Sequence, residues 1–574
     1  NIMNKENFIP STIYIHCKSM LLVADFISRG FAAFTITFLS LFFLANSAIA
    51  DAEKLTIERI TSSPALAGNS PRSLQFSPNG ERVTFLKANP SNYKVLDLWE
   101  YNLSDNTSRP LVLSSSITGG KESLSEVERA RRERMRIIYK GIVTYSWSDD
   151  GTKLLFPLSG DLYQYSLKKH QSIRLTHSPA AETDSRFSPK GRYVSYIQDH
   201  NIHIVDVKTG KTRALTQSKK ATIKNGSAEY VAMEEMDRDT GYWWSPDEKT
   251  IAYIQFDEAP VQIGTRYEIS RDSFKVLEER YPKAGTPNVL VKLGLMEVKT
   301  GRVKWIDLGD DKDIYLARVN WLPDSSGLFF QRQSREQTRL DLIFADATSG
   351  KTRTVLTETA DTWINLHHTL TFLENREAFI WASERSGFNH LYYYKNDGTL
   401  IGQLTDGDWV VTALEQVDEE KGDVYFTGHA DTPLEHHLYK VKLSDRKISK
   451  PLRLSQREGW HEFVFPEKGT DYIDRYSNQD TPPQVSIHDS SGGRISWITE
   501  NAVREGHPYY PYLQTHITPE FGKIKGPSGE DLYYRIYKPT GMKENKKYPV
   551  IVNVYGGPVM QVVRKQWDHY LYNQ

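Results

Sequence analysis

Cysteine is almost absent from this sequence, because Cys17 is the only one in 574 residues. Cys17 lies in an N-terminal segment that we expect to be removed, so the mature chain would have no disulfide and no cysteine metal site. A net charge is also missing, since 72 Lys and Arg balance 72 Asp and Glu. This balance gives no indication of a nucleic-acid partner or of a polybasic membrane-binding segment. Helix-periodic runs are few, whereas 32 Tyr and 12 Trp favour a mainly β protein.

The N-terminal segment has the features of a signal peptide. Residues 31–45 (FAAFTITFLSLFFLA) form an apolar run after Lys18 and Arg29, and residues 48–50 (AIA) match the small-x-small pattern that signal peptidase recognises. A membrane anchor is the alternative, but a spanning helix needs roughly 20 apolar residues. The sequence therefore predicts that residues 1–50 are removed by cleavage after about Ala50, and that the protein is exported to the periplasm or secreted.

A turn motif recurs through the middle of the chain and leads each time into an apolar strand. Its form is aromatic-Ser-Pro-Asp-Gly or a close variant, and Pro, Asp and Gly are the residues that set tight turns. The copies lie at residues 76–80, 147–151, 187–191, 244–248 and 321–324.

A second motif marks a further strand in eight places, with Asp or Asn, a hydrophobic residue and Tyr, or a variant of that pattern. The copies lie at residues 97–101, 161–165, 201–204, 289–292, 340–343, 390–394, 437–440 and 485–488. The later copies are about fifty residues apart, the length of one four-stranded propeller blade. The pattern predicts an eight-bladed β-propeller over residues 51–505, with unrelated hairpins in series as the alternative.

Two longer gaps in the repeat, at residues 112–142 and 257–288, predict insertions into the propeller. Residues 123–140 (SLSEVERARRERMRIIYK) indicate a helix, with Ser and Glu near its start and arginines after them. Residues 271–288 (RDSFKVLEERYPKAGTPN) predict a short helix that ends before Pro282, followed by a turn.

Two adjacent acids, Glu234 and Glu235, lie in an apolar and aromatic neighbourhood just before a repeat strand. Adjacent carboxylates repel, so a pair that stays ionised favours a cation in front of it. The simpler interpretation is that one of them pairs with Arg238 and the other is solvated.

The last part of the chain, residues 506–574, departs from the blade pattern. A Pro/Tyr-rich linker with His507 precedes residues 521–539, which predict a hairpin. Residues 548–558 (YPVIVNVYGGP) predict a short strand buried on both faces that runs into a glycine turn. Such a strand is typical of one wall of an oxyanion hole in α/β-hydrolases.

These motifs together resemble the dipeptidyl peptidase IV family, which belongs to the prolyl oligopeptidase group of serine peptidases. The resemblance extends to the bacterial enzymes and the animal dipeptidyl peptidases 8 and 9 in one further feature, because they share an Arg-rich helix like residues 132–136 (RERMR). The other matching segments are residues 234–246 (EEMDRDTGYWWSP), 281–288 (YPKAGTPN), 383–392 (SERSGFNHLY) and 554–558 (VYGGP).

The resemblance implies a propeller that covers an α/β-hydrolase active site, with Glu234 and Glu235 binding the free α-ammonium of a peptide. The chemistry agrees, because an ammonium group has three donors that two carboxylates can accept. It also implies an arginine for the carbonyl of the second substrate residue. Arg136 is the first match and Arg134 the second, with a solvated helix arginine as the alternative. Tyr555 matches the tyrosine that stabilises the oxyanion.

The sequence departs from the family at the catalytic residues. No Gly-x-Ser-x-Gly occurs in it, and no Ser, Asp, His series follows residues 554–558. We therefore expect a C-terminally truncated sequence, with only the first strands of the α/β-hydrolase domain, whose catalytic triad would lie beyond Gln574. The chain as given should be inactive.

The resemblance implies a serine exopeptidase that releases X-Pro or X-Ala dipeptides from free amino termini without a metal or cofactor. Homodimers are common among such enzymes. An oligopeptidase or acylaminoacyl peptidase is the first alternative, although the two glutamates argue against it. A non-catalytic peptide-binding propeller is the second. A Gly-x-Ser-x-Gly encoded after Gln574 would favour the enzyme, and a substituted serine would favour the binding protein.

Overall fold

A computed structural model describes residues 55–178, 180–444, 448–557 and 560–568. The predicted signal segment, residues 1–50, lies outside these ranges. Within them, no helix is long and apolar enough to cross a bilayer. The described residues belong to one structural unit except residues 511–515, which fall in a second unit and form most of the 3₁₀ helix Tyr510–Thr515.

Eight antiparallel sheets follow one another along the chain, and each has four strands paired in chain order. Blade 1 contains β1 (Arg72–Phe76), β2 (Arg82–Asn89), β3 (Asn92–Asn102), β4 (Thr107–Val112) and β5 (Lys140–Gly141), and blade 2 contains β6 (Ser146–Trp147), β7 (Lys153–Leu158), β8 (Asp161–Ser166) and β9 (Gln171–Arg174). Blade 3 contains β10 (Thr183–Phe187), β11 (Tyr193–Gln198), β12 (Asn201–Asp206) and β13 (Thr212–Ala214), and blade 4 contains β14 (Ile223–Asn225), β15 (Tyr242–Trp244), β16 (Thr250–Asp257), β19 (Leu290–Glu297) and β20 (Val303–Trp305).

Blade 5 contains β21 (Ile314–Trp321), β22 (Gly327–Ser334), β23 (Arg339–Asp346) and β24 (Thr352–Thr359), and blade 6 contains β25 (Leu370–Phe372), β26 (Ala378–Ser383), β27 (His390–Lys395) and β28 (Leu400–Gln403). Blade 7 contains β29 (Val411–Asp418), β30 (Asp423–Gly428), β31 (His437–Lys442) and β32 (Leu452–Arg453), and blade 8 contains β33 (Trp460–Val464), β34 (Tyr472–Asn478), β35 (Thr481–His488) and β36 (Arg494–Thr499).

The eight-bladed propeller predicted from the repeat is confirmed. Each copy of the second motif lies on or at the start of the third strand of a blade, from β3 in blade 1 to β35 in blade 8. Two blades carry a fifth strand, because β5 pairs in parallel with β3, and β14 and β15 both pair with β16.

The ring is closed by apolar packing between blades 1 and 8. Val83 and Phe85 of blade 1 lie in one buried cluster with Ile473 and Val485 of blade 8. Clusters of the same kind join the other neighbouring blades. Each fully buried side chain of this type contributes roughly 1.5–3 kcal/mol, so the contacts between blades supply a large part of the core.

The turn motif joins the first and second strands of a blade, and its serine explains the repeat. The hydroxyls of Ser77, Ser148, Ser188 and Ser245 accept hydrogen bonds of 2.8–3.1 Å from the backbone N–H five residues later. These serines are buried, where an unpaired N–H would be costly. The motif therefore marks a buried turn whose polar groups are satisfied internally.

The first insertion contains the predicted helix in a shorter form. Two helices lie between blades 1 and 2, α2 (Ser114–Thr118) and α3 (Glu126–Arg134), after the N-terminal α1 (Ile57–Thr61). Ser125 is the N-cap of α3, because its hydroxyl accepts from the N–H of Glu128 at 3.1 Å.

The second insertion is a hairpin, so the short helix predicted before Pro282 is wrong. Strand β17 (Ile263–Ile269) pairs with β18 (Phe274–Arg280) through seven residues of each. Residues 274–280 pair with β17 along their whole length, and that partner lies upstream of the segment on which the helix prediction was based. Strand formation was therefore decided by pairing outside the segment.

The C-terminal part confirms one prediction and contradicts another. The predicted hairpin is present as β37 (Glu520–Lys525) and β38 (Asp531–Ile536). The buried strand predicted at residues 548–558 is wrong for the described part, since residues 548–557 form no strand and Ile551 is 96 % exposed. A strand buried on both faces needs paired neighbours, and no described strand pairs with it.

Candidate functional site

The two adjacent glutamates lie at the end of a short helix, α4 (Tyr230–Glu235), which interrupts blade 4. Strands β14 and β15, on either side of the helix, pair with different parts of β16. A bridge between Ser227 and Thr240 closes the base of this excursion. The helix thus belongs to a short insertion between two strands of the blade and is not itself part of the sheet.

One face of α4 packs against blade 5. Ala232 and Met236 are buried against Tyr315 and Ala317 of β21. The carbonyl of Met236 also accepts a hydrogen bond of 2.7 Å from Arg318 Nη1. Glu234 and Glu235 are exposed. Glu234 is two positions from Ala232 and lies on the opposite side of the helix, whereas Glu235 is the last residue of the helix.

Arg238 does not pair with either of the two glutamates, so the simpler interpretation of this pair is wrong. Its Nη2 lies 2.6 Å from Oε2 of Glu229, and the two side chains are 3 % and 1 % exposed. Glu229 is the residue that immediately precedes α4. Arg238 therefore does not neutralise Glu234 or Glu235, and both carboxylates are available to another cation.

The arginine that reaches the pair is Arg134, at the end of α3. Its Nε lies 2.5 Å from Oε1 of Glu234, and both side chains are partly exposed, at 39 % and 30 %. Glu235 forms no hydrogen bond or ion pair with the described residues. The site thus has one carboxylate paired with a guanidinium and one carboxylate without a partner in the described part of the chain.

Arg136 was the first sequence match for a substrate-binding arginine, but its side chain makes no ion pair within the described ranges. It is exposed, and its backbone is left-handed, with φ 53°. This conformation lies just beyond the end of α3, so Arg136 does not continue the helical direction of Arg134. The structure brings Arg134 to the glutamates, and the role of Arg136 stays a prediction.

Two residues at the base of the β17–β18 hairpin complete the site, and sequence reasoning did not assign them. The ring of Tyr281 packs edge-on against Tyr230 of α4, with centroids 5.2 Å apart. Burial and the nearby charge of Glu234 raise the pKa of Tyr230. Glu279 is held by Arg266 at 2.9 Å. Its pKa is lowered by the hydrogen bond from Arg266 and further by the charge of Arg134.

The site therefore gathers three segments distant in sequence: α3, α4 and the hairpin base. Only a motif match at residues 281–288 could have indicated Tyr281 beforehand. Tyr230 lies four residues before Glu234, which places both on one helix face. The arrangement presents carboxylates next to aromatic rings and an arginine, a combination suited to a cationic group on a peptide-sized ligand.

Tyr555 is not part of this arrangement. It is 58 % exposed, and the neighbouring Val554 is 72 % exposed. Its predicted contribution to an oxyanion hole needs a buried strand and a catalytic serine nearby, and the described residues contain neither arrangement. The role of Tyr555 stays a prediction.

Comparison with known proteins identifies relatives of the chain. A family described as "Dipeptidyl peptidase IV (DPP IV) N-terminal region" matches residues 131–483, more than half of the chain. Human dipeptidyl peptidase 8 is 28 % identical over 548 residues, covering 77 % of this chain and 59 % of that protein. Dipeptidyl peptidase 4 of Trichophyton rubrum is 26 % identical over 487 residues, covering 81 % and 62 %.

The fold has a counterpart among solved structures. The crystal structure of Porphyromonas gingivalis dipeptidyl peptidase 4 matches with a TM-score of 0.75 and 22 % identity, over 91 % of this chain and 72 % of that one. This likeness supports the propeller architecture. The chain spans about three fifths of the length of the two sequence relatives.

Proposed function

The chain belongs to the dipeptidyl peptidase IV family, because the N-terminal region that defines the family matches its residues 131–483. On that premise we propose that the chain is the substrate-anchoring part of a serine-type dipeptidyl peptidase. Such an enzyme holds a peptide by its free amino terminus and cleaves after the second residue. The names of the relatives, dipeptidyl peptidases 8 and 4, support this proposal. The substrates would be X-Pro and X-Ala peptides.

The observation that carries the proposal is the arrangement of Glu234 and Glu235 beside Arg134. A peptide ammonium has three N–H donors, and Glu235 has free acceptors for it. Glu234 gives one oxygen to Arg134, and a carboxylate keeps acceptor capacity for a second donor. The ammonium would therefore bind between the two carboxylates, with charge-assisted hydrogen bonds to both.

Arg134 is placed to take the role that the resemblance gives to an arginine. Its Nε is engaged by Glu234, and its Nη1 donates to the Met233 sulfur at 3.9 Å. Nη2 is therefore the group best placed to donate to a peptide carbonyl. We therefore assign the carbonyl contact to Arg134 rather than to Arg136. Tyr555 would stabilise the oxyanion once a catalytic serine is beside it. That serine would not come from the present 574 residues, which contain no Gly-x-Ser-x-Gly. Export remains part of the proposal.

Peptide binding to the chain tests the anchor directly. The probe is the peptide Ala-Pro-Ala with a fluorophore on an added C-terminal lysine, compared with its N-acetylated form. We expect the free amine to bind at least about tenfold more tightly, because acetylation removes the charge and leaves the carboxylates unpaired. Glu234→Gln and Glu235→Gln should each reduce this preference.

A matched control is Glu278→Gln, an exposed glutamate on the β17–β18 hairpin. It should leave the preference for the free amine unchanged. Equal binding of the two peptides to the unmodified chain would contradict the anchor. In a protein that also contains the catalytic serine, Glu234→Ala and Glu235→Ala should each abolish cleavage of an X-Pro-chromophore. Rates like those of the unmodified enzyme would contradict the assignment.

A further inference from the structure

The orientation of the two carboxylates depends on what holds α4. The helix has only six residues, and an isolated helix of that length is not stable in water. A rotation by one residue position, about 100°, would carry Glu234 and Glu235 away from Arg134. The contacts at the two ends of the helix, together with the packing of its apolar face against β21, therefore decide where the carboxylates point.

Arg238 connects both ends of α4 to blade 5. Its Nη2 donates to Glu229, the residue before the helix, at 2.6 Å. Its Nε donates to the carbonyl of Leu316 on β21 at 3.0 Å, and its Nη1 donates to the carbonyl of Thr240 at 2.7 Å. The backbone N–H of Arg238 donates to the carbonyl of Ala232, inside the helix, at 3.0 Å.

Arg238 is the ion-pair partner of the buried Glu229 carboxylate. Its Oε2 accepts from Arg238, and its Oε1 is buried without a hydrogen-bond partner among the described residues. A buried carboxylate is costly unless it is paired, so stability alone does not explain a charged residue here. A buried pair of opposite charges does fix a single geometry, because neither charge can move without losing its partner.

We propose that the Glu229–Arg238 ion pair is a positioning device that directs Glu234 and Glu235 toward the substrate ammonium. The two residues do not touch the substrate, and they act by fixing the start and the end of α4. This inference rests on the proposed function, because it concerns how well that site distinguishes free from blocked amino termini.

The test measures the ratio of the dissociation constants of the N-acetylated and free-amine probe peptides. The variants are Glu229→Gln and Arg238→Lys, measured well below the melting temperature of each. The matched control is Glu100→Gln in blade 1. Glu100 is also 1 % exposed and paired with an arginine, Arg82, at 2.7 Å, but it is far from α4 in the ring order.

We expect Glu229→Gln to lower the ratio by about tenfold, since a small misplacement of binding groups has a large effect. Arg238→Lys keeps the charge but loses the fork of donors, so the ratio should fall by less. Glu100→Gln should lower the melting temperature and leave the ratio unchanged. A purely structural role of Glu229 would make its variant behave like Glu100→Gln.

The outcomes separate this inference from the proposed function. An unmodified chain that does not prefer the free amine contradicts the proposed function itself. An unmodified chain that prefers it, with the same preference in Glu229→Gln and Arg238→Lys, overturns the positioning role. If Glu229→Gln does not fold, Arg238→Lys decides by the same ratio, and an unchanged ratio in that variant overturns the inference.

Discussion

Helices α3 and α4 both bring charged groups to the site, but they are held by different sets of contacts. Helix α4 buries Ala232 and Met236 against β21. Helix α3 has a charge network, in which Arg132 donates to Glu128 of the same helix at 2.7 Å and to Glu122, outside it, at 2.9 Å. Helix α4 also has the buried Glu229–Arg238 pair at its ends, but its apolar contacts do not depend on the charge of any group, whereas the carboxylates in the network of α3 can be protonated by acid. The carboxylates of the site are thus on a helix with a buried apolar face, and Arg134 is on a helix crossed by a charge network.

The largest effect should come from a charge placed in the packed face of α4. Ala232 is fully buried, so Ala232→Asp should destabilise the protein by about 4 kcal/mol, as expected for an unpaired buried charge. Urea unfolding followed by tryptophan fluorescence measures the change. The matched control is Ala130→Asp on α3, where the side chain is exposed. Its effect should stay within about 0.5 kcal/mol, and equal effects would contradict the contrast between the helices.

The next effect concerns the charge network of α3. Arg132→Ala leaves Glu122 without its arginine and removes one of the two arginines of Glu128. We expect a local loss of about 2 kcal/mol, seen as about thirtyfold less hydrogen-exchange protection in residues 126–134. Arg129→Ala, at an exposed position of the same helix, is the control. A fall in the global unfolding midpoint with no local change would contradict this account.

The contrast also shows what the sequence could predict. The propeller was predictable because four blades repeat a buried turn with a serine, as at Ser77 and Ser188, and all eight repeat the motif of the third strand. These local signals agree with the fold. The hairpin β17–β18 was not, because its pairing involves residues upstream of the segment interpreted as a helix. Residues 548–558 failed for a related reason, since an apolar run becomes a buried strand only when neighbouring strands are present.

The site was predictable in part. Glu234 and Glu235 were found because adjacent acids in an apolar setting need a cation. The partner of Arg238 was not found, because nearness in sequence favoured the glutamates three and four residues before it. The choice between Arg134 and Arg136 depends on where α3 ends, and helix ends are set by local geometry that residue spacing does not reveal.

A smaller effect follows from acid. Burial alone would raise the pKa of Glu128, but hydrogen bonds from Arg131 and Arg132 and their charges outweigh burial and lower it. A lowered pKa contributes stability above the unfolded-state value, and this is lost as the pH falls through the folded-state value. Protection of residues 126–134 should therefore fall as the pH drops below the ordinary glutamate pKa of 4.5. In Glu128→Gln the helix should lose this pH dependence, and an unchanged dependence would contradict the assignment.

The smallest effect on stability should come from Arg134 itself. Its pair with Glu234 is partly exposed on both sides, and such pairs contribute about 0–1 kcal/mol. Arg134→Gln should therefore change the free energy of unfolding by less than about 0.5 kcal/mol while it weakens binding of the free-amine peptide. Arg136→Gln is the matched control and should change neither quantity. If Arg136→Gln weakened binding and Arg134→Gln did not, the carbonyl contact would belong to Arg136. Because Arg134 contributes little to folding, a loss of binding in its variant measures its contact with the peptide rather than damage to the site.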